Sequence, residues 1–274
     1  MNASAICDDQ FEQCGYTVVE LLDEGELRRV REFYESLEIG SIEGNYCSVH
    51  EPNVDFKRRI NSFLAPIIQS NLDKLGFITG KVMGGVFVVK APTHEHVEPH
   101  QDPTLVDEVR GRSMNIWVPL QDVSTENGCL WMLPNSQDEV PMVRPGNGYD
   151  HPGYYDRVPK GAIWGAMTPI EMSAGEALVY DHRMLHGSKG NSSLTDRVAI
   201  VSGLCDRDAQ LRFYHAEESD GRHTISEYLM GESDFLSFVD FVPQAAVLAG
   251  RTTVEPTYID PSEFARRYGS SSSY

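Results

Sequence analysis

The chain has 274 residues, 41% of them apolar, enough for one large domain with a full core. Its 41 acidic against 23 basic residues leave a formal net charge of −18, which argues against nucleic acid and leans against an acyl-CoA or acidic carrier as partner, because their phosphates would be repelled. No stretch approaches the roughly 18 apolar residues that cross a bilayer, and the first residues lack the basic and apolar regions of a secretory signal. Five scattered cysteines (7, 14, 47, 129 and 205) with no Cys-x-x-Cys point to free thiols in a reducing, cytoplasmic compartment.

Asp23-Glu24-Gly25-Glu26 has the form of a helix cap with an acid at the third helical position. Leu27, Val30, Phe33, Tyr34 and Leu37 follow at helical spacing, so residues 23–38 form an amphipathic helix. A second helix spans about 53–75, with Phe56, Ile60, Leu64, Ile67, Ile68 and Leu72 in one stripe. Pro66 is expected to kink or split it. Residues 1–78 thus read as helices that buttress a sheet.

From Lys81 the pattern turns strand-like: 81–90, the histidine-rich 94–102, 112–120, 128–133, 176–180, 182–188 and 196–204. Asn127-Gly128 marks a tight turn. Short strands with turn signals and no helices between them predict a mainly β fold with flanking helices, whose core (79–210) is a double-stranded β-helix, the cupin-like jelly roll. Residues 137–175, rich in Pro, Gly and Tyr, read as an insert serving as a lid or binding loop. The tail, 211–274, is expected to be a helical extension, with one helix near 227–242 and another at 261–268 capped by Asp260. The whole chain reads as one domain.

His100-Gln101-Asp102 is the first motif with chemistry in it. On a strand, residues i and i+2 share a face, so His100 and Asp102 can grip one cation together. A distant histidine would complete two histidines and a carboxylate, a set suited to ferrous iron with three positions left open. His186 and His182 are the candidates. Arg197, eleven residues after His186, opens the apolar run Val198-Ala199-Ile200-Val201. Its planar fork suits the far carboxylate of a dicarboxylate, and Arg183 is the next cation in line.

The sequence resembles the phytanoyl-CoA dioxygenase-like family of Fe(II)/2-oxoglutarate-dependent oxygenases. The likeness rests on His100-Gln101-Asp102, the stretches Ser113–Val123 and Glu126–Ser136, then His186-Gly187-Ser188 and Arg197. It covers roughly residues 80–205 in the family's order. Two positions depart from it: Asn135 stands where Gly is usual and Gln137 where His is usual.

The resemblance implies His100, Asp102 and His186 as iron ligands, the Gly-Ser after His186 favouring it over His182. It implies Arg197 and Ser188 on the distal carboxylate of 2-oxoglutarate, and Trp117 lining the co-substrate pocket. Asn115, on the same face as Trp117, is a candidate for the proximal carboxylate. Relatives that halogenate have Gly or Ala in place of the carboxylate ligand. Asp102 therefore implies hydroxylation, desaturation or ring formation on an unactivated C–H bond of a small molecule, using O2 and releasing succinate and CO2. His94, His96 and Glu98 continue the alternation of His100, and Tyr154, Tyr155 and Trp164 offer aromatic rings; these are the candidate substrate contacts. A cupin-type metal-dependent isomerase or hydrolase and a non-catalytic jelly-roll binder are the rival readings. The sequence does not set an oligomeric state.

Overall fold

Two antiparallel sheets face each other across a mixed apolar and polar interior. The larger has the order β1 (Tyr16–Glu20), β8 (Glu176–Asp181), β5 (Ser113–Pro119), β10 (Arg197–Asp206), β3 (Gly80–Lys90), β2 (Asn45–Cys47). The smaller runs β4 (Val97–His100), β9 (His186–Ser188), β6 (Leu130–Met132), β7 (Thr168–Ile170). This is the expected jelly roll. The computed structural model describes residues 9–76, 80–139, 143–146, 151–220, 222–231 and 246–269.

Strand alternation sorts the larger sheet into two faces. Phe87, Val89, Ile116, Val118, Val179 and Ile200 point outward into a cluster with Ile60, Leu64, Ile68 and Leu72. These last four line α3 (Val54–Lys74), which lies beside α2 (Glu24–Glu35). Each such buried side chain contributes about 1.5–3 kcal/mol. Gly85 marks the closest approach: a Cβ there would sit 2.8 Å from Leu64 Cβ. The inward face carries Trp117, Leu178, Tyr180 and Ala199 against Leu130 and Met132 of the smaller sheet.

Asp23 and Glu26 form the expected capping box on α2. Pro66 does not split α3, which runs unbroken through it. The first 78 residues are also more than helical buttress. Besides a short α1 (Asp9–Cys14), they supply β1, paired along its whole length with β8, and β2, paired with β3. Asn127-Gly128 does lie in a turn, but the strands it separates belong to opposite sheets, so it makes a crossing and not a hairpin.

The insert is only partly loop-like among the described residues. Within it, α4 (Lys160–Ala166) and β7 are regular, and Tyr155, Val158, Ile163 and Met167 pack with Leu133, Leu185 and Phe264. Phe264 belongs to α5 (Pro261–Tyr268), which Asp260 caps as expected.

The rest of the tail corrects the sequence reading. A helical extension was expected over 211–274, yet β11 (Leu211–Ser219), β12 (Arg222–Met230) and β13 (Val247–Val254) form a third antiparallel sheet. Tyr228 and Leu229 lie opposite Leu248 and Val247 across the sheet. Non-local pairing of this kind overrides a weak local helical spacing. The remainder of the helix expected near 227–242 lies outside the described residues after 231. Among the described residues, no helix is long and apolar enough to cross a membrane.

Candidate metal centre and anion pocket

His100 ends β4 and His186 begins β9, and the two lie opposite each other in register. Asp102 follows in the loop after β4, its N–H donating to the His182 carbonyl (3.1 Å). One ligand atom from each of His100, Asp102 and His186 falls within 4.8 Å of the others, the one such grouping among the described residues.

Hydrogen bonds set which atoms are presented. His100 Nδ1 lies 2.8 Å from the Glu98 carbonyl and His186 Nδ1 lies 3.1 Å from that of Met184. A carbonyl only accepts, so each neutral ring carries its proton on Nδ1 and turns a bare Nε2 lone pair inward. Burial pushes the His186 imidazole down to about 4, which keeps it neutral and metal-competent at neutral pH. Burial also works against the Asp102 carboxylate. The imidazoles of His186, His182 and His100 and the Asn115 amide outweigh it and hold the carboxyl below its usual value. Asn115 Nδ2 donates to Asp102 Oδ2 at 2.7 Å and also reaches the Tyr180 hydroxyl at 3.2 Å. That hydroxyl is 3.4 Å from His186 Nε2.

His182, the rival ligand, is buried with Nδ1 2.8 Å from Ser113 Oγ, outside the converging set. Arg183, the rival clamp, has Nε and Nη2 on its neighbour Asp181 at 2.9 and 2.7 Å.

Arg197 is different. It is 4% exposed, its guanidinium lies over the Trp117 ring at 5.2 Å, and its Nε and Nη1 have no hydrogen-bond partner among the described residues. Burial pushes the group down to about 10, so it stays charged at neutral pH. A buried, charged, unpaired fork is costly unless an anion meets it.

Lys90, which sequence reading took for the end of a strand, is directly opposite Arg197 and fully buried. Its Nζ donates to the Glu95 carbonyl at 3.1 Å and the Ser188 carbonyl at 3.5 Å. Burial, then the charge of Arg197, pushes this amine down to about 8. The signal was present in Val86-Phe87-Val88-Val89-Lys90: alternation puts Lys90 on the face of Val88, but nothing local says that this face is interior. Ser188, two residues or about 7 Å along β9 from His186, donates its hydroxyl to the Gly128 carbonyl (3.0 Å). The triad, Ser188, Lys90 and Arg197 therefore follow one another along one side of the barrel interior.

The candidate substrate contacts are not gathered with this set. A bulge between Val97 and His100 breaks the alternation that was expected to carry His94, His96 and Glu98 toward the metal, and all three are exposed. Trp131 pairs with Gly187 on the face opposite His186 and Ser188. A Cβ at Gly187 would meet Trp164 at 3.0 Å, so Trp164 covers that outer face, with His96 edge-on to it at 5.5 Å. Tyr155 is core, and Tyr154 stands edge-on to it with centroids 5.2 Å apart. Asn135 takes φ +65°, a left-handed geometry that Asn tolerates better than most residues, which accounts for Asn where Gly is usual.

Comparison with known proteins fits this geometry. The chain is 31% identical over 167 residues to phytanoyl-CoA dioxygenase domain-containing protein 1 of Danio rerio, covering 56% of this chain and 53% of the relative. The Rattus norvegicus protein of that name is 36% identical over 150 residues, 52% of this chain and 50% of the relative. This chain thus spans about half the length of the curated relatives it matches. Among solved structures, the non-heme alpha ketoglutarate dependent epimerase SnoN superposes with a TM-score of 0.54 at 21% identity, over 75% of this chain and 83% of that one. The carbocyclase SnoK gives 0.52 at 19%, over 77% and 86%; both likenesses are of fold. The family model described as phytanoyl-CoA dioxygenase (PhyH) matches residues 11–199, and the chain belongs to that family.

Proposed function

We propose that this chain is an Fe(II)/2-oxoglutarate-dependent oxygenase acting on an unactivated C–H bond of a small metabolite or natural-product intermediate, by hydroxylation, desaturation or ring formation. The observation that carries the reading is the buried, unpaired Arg197 guanidinium on the same interior as a convergent His-Asp-His set. A cupin-type isomerase or hydrolase would use the ligands but leave that charge unanswered.

His100, Asp102 and His186 would hold the iron, the two Nε2 atoms and one carboxylate oxygen facing it. When bound, the iron and 2-oxoglutarate supply the oxidising chemistry with O2 and release succinate and CO2. The protein's own work is placement. Arg197 and Lys90 receive the distal carboxylate, and Trp117 packs beneath the Arg197 fork. Ser188 would have to turn its hydroxyl from the Gly128 carbonyl to join them. Asn115 is engaged with Asp102, so its role is to orient that ligand and not to bind the proximal carboxylate. Apolar Leu130, Met132 and Leu178 keep water from the rest of the interior.

SnoN and SnoK act in nogalamycin biosynthesis, which accords with a small-molecule substrate; the net charge of −18 argues against nucleic acid. Cys14, Cys47, Cys129 and Cys205 are free thiols, in keeping with a cytoplasmic protein. Titrating the anaerobic Fe(II) protein with 2-oxoglutarate tests the reading. A visible metal-to-ligand charge-transfer band that saturates with 2-oxoglutarate and is lost in Arg197→Ala at the same concentration is expected. Absence of any band in the wild-type protein would refute it.

A further inference from the structure

Asp102 is the one candidate ligand outside a strand, so something else must fix its backbone. Residues 143–146 of the insert supply the contact. Arg144 is 8% exposed, and its Nε donates to the Asp102 carbonyl at 2.6 Å. Its Nη1 and Nη2 grip the Glu108 carboxylate at 3.0 and 2.5 Å. Its N–H donates to Thr104 Oγ1 (3.0 Å), and its carbonyl accepts from the Thr104 N–H (2.9 Å). The loop 102–108 is thus wrapped around one arginine, whose guanidinium holds its beginning and its end and whose main chain holds Thr104 near its middle.

The third sheet holds both halves of this arrangement. The Arg212 N–H donates to the Leu105 carbonyl (2.9 Å), and the Gly146 N–H donates to the Tyr214 carbonyl (2.8 Å). Leu105 and Val106 are buried with Leu211, Phe213 and Met230. The match to the family model ends at residue 199, before β11 begins.

We propose that Arg144 is a positioning residue for the metal: it fixes the Asp102 main chain, and through it the carboxylate, while β11 anchors the loop and the arginine together. The proposal rests on the reading of Asp102 as a ligand. The physical reason is geometric. Asp102 has its N–H on His182, its carboxylate on Asn115 and its carbonyl on Arg144, so removing Arg144 frees one of three restraints. A metal ligand that must be reordered on binding binds more weakly, and loss of such outer partners typically lowers metal affinity about 10–100-fold.

Co(II) serves as the probe, added to the full chain under anaerobic conditions, with affinity read by competition and ligand geometry by its visible spectrum. Arg144→Gln combined with Glu108→Gln removes both charges together, so no buried carboxylate is stranded. The expected result is Co(II) binding about 10–100-fold weaker than wild type, with a changed visible spectrum, at a temperature well below unfolding. Arg144→Lys, which can reach either Asp102 or Glu108 but not both, should fall between the two; it decides the matter if the double variant does not fold. Wild-type affinity and spectrum in whichever of these variants folds overturn the proposal. Asp102→Ala separates the two levels of inference. If it leaves Co(II) binding unchanged, the ligand reading fails; if it weakens binding and the Arg144 variants do not, only the role of Arg144 fails.

Discussion

The two ends of the barrel interior are built on opposite plans. At the metal end, every candidate ligand already has a partner: Glu98 and Met184 carbonyls hold the imidazoles, and Asn115 holds the carboxylate. At the cation end, Arg197 is buried with two unpaired nitrogens, and Lys90 lies charged and desolvated beside it. The first is preorganised, with its cost met within the fold. On the proposed reading, the second leaves the Arg197 fork open for a dianion to complete. Strain of this kind persists in a fold when function requires it.

The largest break in this comparison comes from the ligands themselves. His100→Ala, Asp102→Ala and His186→Ala are each expected to abolish turnover and weaken iron binding while the fold survives, as circular dichroism would show. His182→Ala should leave most iron affinity; the reverse pattern would move the distal ligand to His182.

Next in size is Arg197. Two charge-assisted hydrogen bonds contribute about 1.5–3 kcal/mol each, and about 1.4 kcal/mol is a power of ten. Arg197→Ala should therefore raise the 2-oxoglutarate requirement by one to several powers of ten with little change in iron affinity. Arg197→Lys should recover part of the loss, since a point charge does not reproduce the fork. Arg197→Met should melt higher than wild type without ligand, because it removes an unpaired buried charge. A lower melting point would mean the cation end is not under strain.

Lys90 adds a pH dependence whose sign is fixed. Its amine is lowered to about 8 in the ligand-free protein, and an anion beside it favours the charged form. Affinity for 2-oxoglutarate should be level below about pH 8 and fall above it, by at most ten-fold per pH unit. Lys90→Met should bind more weakly at pH 7 and lose this slope. Ligand-free stability should run the other way, rising between pH 8 and the ordinary lysine value as the folded amine sheds its proton first.

The smallest effect is expected at His96. It is exposed and stands edge-on to the outer-face Trp164, so His96→Ala should leave turnover unchanged within about two-fold and stability within about 0.5 kcal/mol. A large loss of turnover would return His96 to the substrate path.

The same contrast explains what could be read from the sequence. The His100 and Asp102 pair was legible from its i, i+2 spacing, and His186 over His182, together with Arg197, from the resemblance to the family; the structure brings the three candidate ligands together and buries Arg197. Lys90, Tyr180 and Arg144 were not: each meets a residue far away in the chain, Arg197, Asn115 and Asp102 respectively, the first two through strand pairing and Arg144 through a contact between loops. The capping box at Asp23, the cap at Asp260 and the apolar stripes of the helices at 23–38 and about 53–75 were legible because they are local facts of the sequence. The third sheet was missed because β12 is made by its partners, not by its own pattern. His96 falls on the other face because one bulge after Val97 reverses every side chain before it, and Trp164 follows α4 onto the outside of the smaller sheet.

The chain's three tryptophans are distributed in a way that has an optical consequence. Trp131 and Trp164 meet edge to face at 6.1 Å under the Lys189 ammonium, on the outside of the smaller sheet. Trp117 stands apart, 2% exposed beneath the Arg197 guanidinium. Neutralising that guanidinium changes the field across one indole only. Intrinsic fluorescence therefore offers two separate channels: the emission of Trp117 would report a carboxylate that meets Arg197, as proposed, and the outer pair whether the smaller sheet is intact.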